Sequence, residues 1–451
     1  PMPDHPSWWD LRRRPALRAL LLVALVAALF RLPGLGYPGE EYFDEVYHAK
    51  TALEYLRGQP PTEWVHPPTA KLLISVGVAA FGYEPWAWRL APALAGTLLA
   101  PVFLLLAWQV LPTRRGALLA TGLLLADGVY LVQSRVAMTN VFAVLFQLLA
   151  ALLVLRVSTT ERLSAARMSA AGLALGLALS TRWTSLWAWG FLGLVFVALR
   201  VRWRLETSAA PRWTTAREAG LAVLAFGLIP AAVYYASYIP WMLQSHPPAS
   251  VLFPKEAILL LLQGRGPLVD LALQQKAIWD YHSQLSATHH YFSPWWTWPW
   301  LYRPTWYFWW SGEQTVRGIL ALGNPAIWWA SVPAVLWALV TGVRERDPRR
   351  LFAGAGFCLL YLPWGLSPRT LNFSHYLFEA LPYACLALGM LLDRAWDGPL
   401  ARGARGYVML AGVLFLLFLP VLTAVPVAQS VWAFRFTPWG PGLWIWFPTW
   451  I

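Results

Sequence analysis

The most regular feature of the chain is a succession of apolar windows, each helix-sized and separated from the next by polar or basic residues. Eleven can be drawn, at residues 15–32, 86–111, 116–134, 136–155, 168–181, 183–201, 219–243, 318–343, 351–366, 376–393 and 407–428. The hydrocarbon core of a bilayer takes about 20 apolar residues per crossing helix, so the pattern predicts an all-α integral membrane protein with eleven transmembrane helices. The windows at 116–134, 168–181 and 351–366 are short or polar at one end. Helices of that kind stop at a water-filled cavity rather than touching lipid throughout.

Three segments do not fit the spanning pattern and are read as loops on one side of the membrane. Residues 33–85 contain YFDEVYHAKTALEYLRG, an amphipathic helix, and VHPPTAKLLISVGVAAFG, whose apolar stretch is too short to cross and belongs at the interface. Residues 244–315 form a second long loop over the presumed cavity, and 429–451 a Trp-rich tail. Their tryptophans suit either an aromatic belt at the headgroups or stacking on sugar or peptide. No internal repeat or separate soluble unit is visible, so residues 1–451 read as a single transmembrane domain.

Composition agrees: 58% of the residues are hydrophobic and 13% charged, with mean hydropathy +0.48. Disorder, collagen and disulfide scaffolds are excluded. The net charge of +13 comes from short basic clusters between apolar windows, which encodes membrane orientation rather than nucleic-acid binding. An N-terminus in the cytoplasm puts 21 Lys and Arg inside and 14 outside, which predicts N-in/C-out. The first apolar window follows Arg12, Arg13 and Arg14 without a small-residue cleavage site, so it reads as an anchor. Cys358 and Cys385 lie inside apolar windows and read as small buried hydrophobes, which argues against a thiolate metal site.

Candidate chemistry begins with Asp44 and Glu45 in the first outer loop. Neighbours on a helix point about 100° apart, so these carboxylates cannot flank one bond as a glycosidase pair does. One carboxylate can still take the proton of an attacking hydroxyl, provided the leaving group needs none. The plainer alternative is a solvated acidic face shared with Glu40 and Glu41. Glu45 and His48 have the Glu-x-x-His spacing of half a carboxylate-bridged metal site, but no bound metal is expected. Arg135, Arg182 and Arg369, with His375, lie at the outer ends of windows, against the inside-positive pattern. A phosphate is the counter-charge that planar guanidinium groups bind best. His48, His66, His282 and His289 with Trp295 and Trp296 are the candidate walls of an acceptor and sugar cavity. Neither a glycine-rich phosphate loop nor an Asp-x-Asp is present, which speaks against a nucleotide-bound donor.

Seven blocks then occur in order: FDEVYHAK, HPPTAKLL, LADGVYLVQSRVAMTN, LSTRWTSLWAW, YHSQLSATHHYFSPWWTWPWLYRPTWYFWW, LGNPAIWW and SHYLFEALPYACLALG. Together they resemble the bacterial protein O-mannosyltransferase family across most of the chain. The resemblance implies a type C glycosyltransferase fold with eleven spans, in a multi-pass plasma-membrane protein whose active site faces outward. It also implies a polyprenyl-phosphate mannose donor and inverting transfer to Ser/Thr hydroxyls of exported polypeptides, with membrane lipids and the export machinery as candidate partners. No obligatory cofactor is implied, and metal dependence is left open. In the family's terms Asp44 is the catalytic carboxylate, Glu45 the acidic partner that positions the acceptor, and Arg135 the arginine associated with the lipid phosphate. Asn140, Arg182 and His290 depart from residues common in relatives, and residues 244–315 leave no room for the trefoil domain of eukaryotic members. Two alternatives stay open: a lipid-linked sugar transferase with a glycolipid acceptor, and a polyprenyl-lipid transporter.

Overall fold

The computed structural model describes residues 14–158, 160, 162–207, 212–437 and 440–451. Arg12 and Arg13 of the N-terminal basic cluster, and Trp439 of the tail, lie outside the described residues. Helix α1 (Arg14–Arg31) leads into a long loop with α2 (Glu45–Leu56), the amphipathic helix expected there, and α3 (Thr69–Phe81), which carries the short apolar stretch. Next come α4 (Pro85–Val110), α5 (Arg114–Leu125), α6 (Gly128–Gln133), α7 (Asn140–Ser158), α8 (Ala165–Leu179), α9 (Ser185–Thr207) and α10 (Arg212–Val223). A π-helical turn, Leu224–Leu228, joins α10 to α11 (Ile229–Ser237). The short α12 (Ile239–Met242) ends the window 219–243, and the second loop holds α13 (Pro248–Leu252), α14 (Pro254–Leu262) and the long α15 (Pro267–Gln284). After it follow α16 (Pro325–Arg344), α17 (Pro348–Tyr361), α18 (Leu381–Ala395), α19 (Ala401–Thr423) and the short α20 (Gln429–Trp432).

Every apolar window carries helix, but not every window is one helix. Among the described residues, six helices are long and apolar enough to cross a membrane alone: Pro85–Val110, Asn140–Ser158, Ser185–Glu206, Ala216–Ser237, Pro325–Arg344 and Ala401–Thr423. The others are charged or interrupted for visible reasons. In the window 116–134 the helix breaks at Asp127, whose carboxylate caps the next turn by accepting from Tyr130 N at 2.9 Å. In 351–366 the helix tightens after Tyr361 into a 3-10 turn, Leu362–Leu366, where Pro363 cannot donate to the ladder. The window 376–393 opens with a second 3-10 turn, Ser374–Glu379, before α18 begins.

The expectation of an all-α chain needs one correction. Residues 305–321 form an antiparallel hairpin, β1 (Thr305–Ser311) with β2 (Thr315–Ala321), and β3 (Val427–Ala428) pairs with β2 to complete the sheet. The window drawn at 318–343 therefore starts as strand and becomes helix only at Pro325. A short apolar run such as GILAL has no period that separates strand from helix. The Thr and aromatic content of TWYFWW and the turn at Gly312 are what decide for strand.

The centre of the molecule is α7, apolar on all faces and packed against α4, α8 and α9. Such a helix belongs inside a bundle rather than against lipid. Its one interior polar side chain, Gln147, is used by the site described below.

Candidate active site

The start of the first long loop is anchored by Arg89. Arg89, in the first turns of α4, is 1% exposed and donates to the carbonyls of Leu35, Pro38 and Glu40 at 2.9, 2.6 and 2.8 Å. Its Nε and Nη2 bind the Glu45 carboxylate at 2.9 and 2.7 Å. Glu45 also accepts from Ala137 N at 2.9 Å and from the Trp88 indole at 3.3 Å. A fully buried carboxylate satisfied in this way is a pin between α2, α4 and the segment after α6. The acceptor-positioning role expected of Glu45 would have to act through the backbone it holds.

That pin presents Asp44. The residue precedes the first turn of α2 and is half-buried, and Phe43 just before it has φ 53°, a left-handed conformation rare for a side-chain-bearing residue. The Phe43 ring stacks on Tyr307 of β1, centroids 4.0 Å apart, and meets the edges of His289, Phe373 and His375. Strain of this kind persists only where the surroundings impose it. Burial pushes the Asp44 carboxyl up to about 6; Glu63 adds to the shift, while Arg369 and Arg182 oppose it.

Two of those cations stand in one cleft. It encloses about 1130 Å³ including its open mouth, and Arg182, Arg369, His66 and His282 supply its polar wall. The turn after α8 and the 3-10 segment after α17 form two of its sides, so two of the windows read as stopping short do end at a cavity. Leu186, Trp187, Pro363, Trp364 and Leu366 make an apolar flank. Arg369 Nη1 donates to His282 Nδ1 at 2.7 Å, which leaves His282 Nε2 to donate to Val65 O at 2.9 Å and defines its tautomer. Burial lowers His282 to about 4 and keeps it neutral.

At and behind the cleft wall lies a group of which the sequence reading took only the histidines. Glu63 and His66 repeat the Glu-x-x-His spacing of Glu45 and His48, and His66 Nδ1 is 2.7 Å from the Glu63 carboxylate. Fully buried Lys71 binds Glu63 and also donates to the carbonyls of Glu63 and His66 at 3.0 and 2.7 Å. Burial works against the ionised carboxylate, but Lys71, His66 and His48 overcome it and hold Glu63 well below the usual range. His48 stands 3.8 Å from Glu63, and burial keeps it neutral, near 4. Among the described residues no group of three or more His, Cys, Asp or Glu side chains is arranged to hold a metal ion.

The remaining candidates divide. Arg135 Nη1 donates to the carbonyls of Phe30, Arg31 and Pro33 at 3.2, 3.0 and 2.7 Å, so it caps the end of α1. His375 is buried between Phe373 and Tyr307, near Phe43 rather than in the cleft wall. His289 is exposed and rests against Phe373. Trp295 packs on Tyr361, Trp296 is 60% exposed, and neither lines this cleft. The 3-10 turn Trp295–Trp300 buries Trp298 and Pro299 and leaves Trp296 outside. Arg89, Lys71 and Glu379 were missed, although each is an ionisable residue in or beside an apolar run, a usable signal of function.

The helical bundle, with its long first loop and cation-lined cleft, and the matches that follow mark a multi-pass membrane glycosyltransferase of the type C fold. Residues 85–240 match the dolichyl-phosphate-mannose-protein mannosyltransferase family, and residues 268–436 the C-terminal four-TMM region of protein-O-mannosyltransferase. The chain belongs to the protein O-mannosyltransferase family. It is 28% identical to the polyprenol-phosphate-mannose–protein mannosyltransferase of Mycolicibacterium smegmatis, over 100% of this chain and 96% of that one. Its fold is similar to the S. cerevisiae protein O-mannosyltransferase Pmt1-Pmt2 complex bound to the sugar donor (TM-score 0.77, 14% identity, 92% of this chain and 91% of that one). It is also similar to ArnT from Cupriavidus metallidurans in the apo state (TM-score 0.52, 18% identity, 90% and 71% covered).

Proposed function

We propose that the chain transfers mannose from a polyprenyl-phosphate donor to Ser/Thr hydroxyls of exported polypeptides, on the outer face of the plasma membrane and with inversion. In this reading the acceptor oxygen attacks the anomeric carbon, the bond from that carbon to the phosphate oxygen breaks, and the acceptor proton goes to Asp44. The lipid phosphate leaves as an anion that needs no proton, so one base suffices. Arg182 and Arg369 stabilise charge growing on the leaving oxygen, and the apolar flank at Leu186, Trp187 and Leu366 takes the first isoprene units. The topology that goes with it is eleven spans, N-in/C-out, with the export machinery supplying unfolded acceptors.

The observation that carries the reading is the pairing of a half-buried, left-handedly presented carboxylate with two arginines that act on it from one cleft. Support for donor and acceptor comes from the names of the full-length relatives. The test is transfer by purified protein from polyprenyl-phosphate mannose to Ser/Thr-rich peptides, with the anomeric configuration of the product determined. Mannosylated peptide of inverted configuration is the expected result. Transfer to a glycolipid and to no peptide would replace the acceptor class.

A further inference from the structure

Glu379 is an acid in an otherwise apolar stretch, 2% exposed, at the junction of the 3-10 turn Ser374–Glu379 with α18. A carboxylate so placed is costly unless partnered. Its partners come from α7 and from the turn between α8 and α9. Thr184 Oγ1 donates to Oε1 at 2.6 Å, Gln147 Nε2 of α7 donates to Oε2 at 2.9 Å, and Arg182 Nε lies 3.5 Å from Oε1. Arg182 is held on its other sides as well: Nη1 binds Asn140 Oδ1, and the guanidinium lies over the Tyr376 ring, 4.6 Å from its centroid. The guanidinium plane is therefore set by an acid on one edge, an amide on another and a ring on its face, in the cleft wall.

We propose that Glu379 is a positioning residue that orients Arg182 toward the donor phosphate. This rests on the reading of the cleft as the donor site. Arginine binds phosphate oxygens through a planar fork, so its orientation decides how much of its charge reaches the ligand. Glu379 supplies orientation at a cost, because it also draws on the charge the phosphate would use. The competing explanation is a tie between α7, α9 and α18 with no bearing on the donor.

Glu379→Gln separates the two. Its amide oxygen can keep accepting from Gln147 Nε2, and the Thr184 hydroxyl, which rotates, can accept from its amide nitrogen, so the change keeps the side chain's shape and removes the charge. In full-length detergent-purified protein the donor KM should rise about tenfold, with peptide KM and the thermal midpoint unchanged. The loss should vanish on an Arg182→Ala background, and Asn140→Asp, which returns a carboxylate to the guanidinium, should recover most of it. A donor KM equal to wild type, or the same loss on both backgrounds, would overturn the proposal. If Glu379→Gln does not fold, Glu379→Asp with and without Asn140→Asp gives the same comparison, and no rescue of donor KM counts against it. Wild-type protein that transfers nothing from polyprenyl-phosphate mannose would bring down the donor-site reading as well, whereas an active wild type matched by Glu379→Gln would remove only Glu379.

Discussion

Glu45 and the cleft wall make an instructive pair. Around Glu45, charge is fully spent: Arg89 satisfies the carboxylate and three carbonyls, and nothing is left for a ligand. Along the cleft, Arg182 and Arg369 are steadied by neighbours yet still line open space. Asp44 lies one residue from the first region and under the electrostatic influence of the second. Burial without access builds a scaffold, and the same residue types with access build a site.

The comparison breaks first at Asp44. Asp44→Asn should lower transfer by about 10²–10⁴-fold with normal folding, because the amide keeps the shape and cannot take a proton. Its pH counterpart follows from the raised carboxyl: the base must be ionised, so wild-type kcat/KM should fall as pH drops through about 6. Turnover of the Asn variant within a few-fold of wild type would remove Asp44 as base.

Next comes the pin. Arg89→Met leaves the Glu45 carboxylate buried without its counter-charge, a loss of roughly 3–5 kcal/mol for such pairs, and should appear as a lower unfolding midpoint and yield. Glu45→Gln should move stability in the same direction. A Glu45→Gln protein of normal stability with weakened peptide affinity would instead return Glu45 to the acceptor.

The arginines sharpen the contrast further. Arg369→Ala should weaken donor use by roughly 10–150-fold, the worth of one charged hydrogen bond, whereas Arg135→Ala should act mainly on stability through the freed carbonyls of α1. Donor titrations of the two variants in parallel decide this, and a larger donor effect for Arg135→Ala would put it back at the phosphate. The smallest effect is expected from Trp296→Ala, with specific activity within about twofold of wild type and membrane yield modestly reduced. A large loss of activity at full yield would place Trp296 at the substrate after all.

Much of the fold was legible in the chain because bilayer solubility writes itself into composition: most helix positions and the amphipathic helix of the first long loop follow from pattern, whereas the choice of Asp44 over Glu45 as candidate base came from the family resemblance. The hairpin at 305–321 was not, since GILAL and PAIWW run together without a change of period. The arginines were pooled for a similar reason. Position against the inside-positive pattern identifies Arg135 and Arg182 alike, but in the fold the end of α1 engages Arg135 Nη1 with three carbonyls, and that contact spans about a hundred positions of sequence. Glu63 carried a usable signal in its spacing to His66, and the signal was overlooked.

The left-handed turn at Phe43 bears on how far this site could be moved. Helix α2 alone does not aim Asp44; the direction is set by a residue whose backbone costs about 1–2 kcal/mol to hold and whose ring is gripped by Tyr307, His289, Phe373 and His375. A transplant of residues 42–58 into another bundle would carry the carboxylate but not its aim. The proposed catalytic unit is therefore not a portable motif. It is the loop, the β1 aromatic and the approach to α18 taken together, and any redesign of acceptor or donor has to treat those three segments as one part.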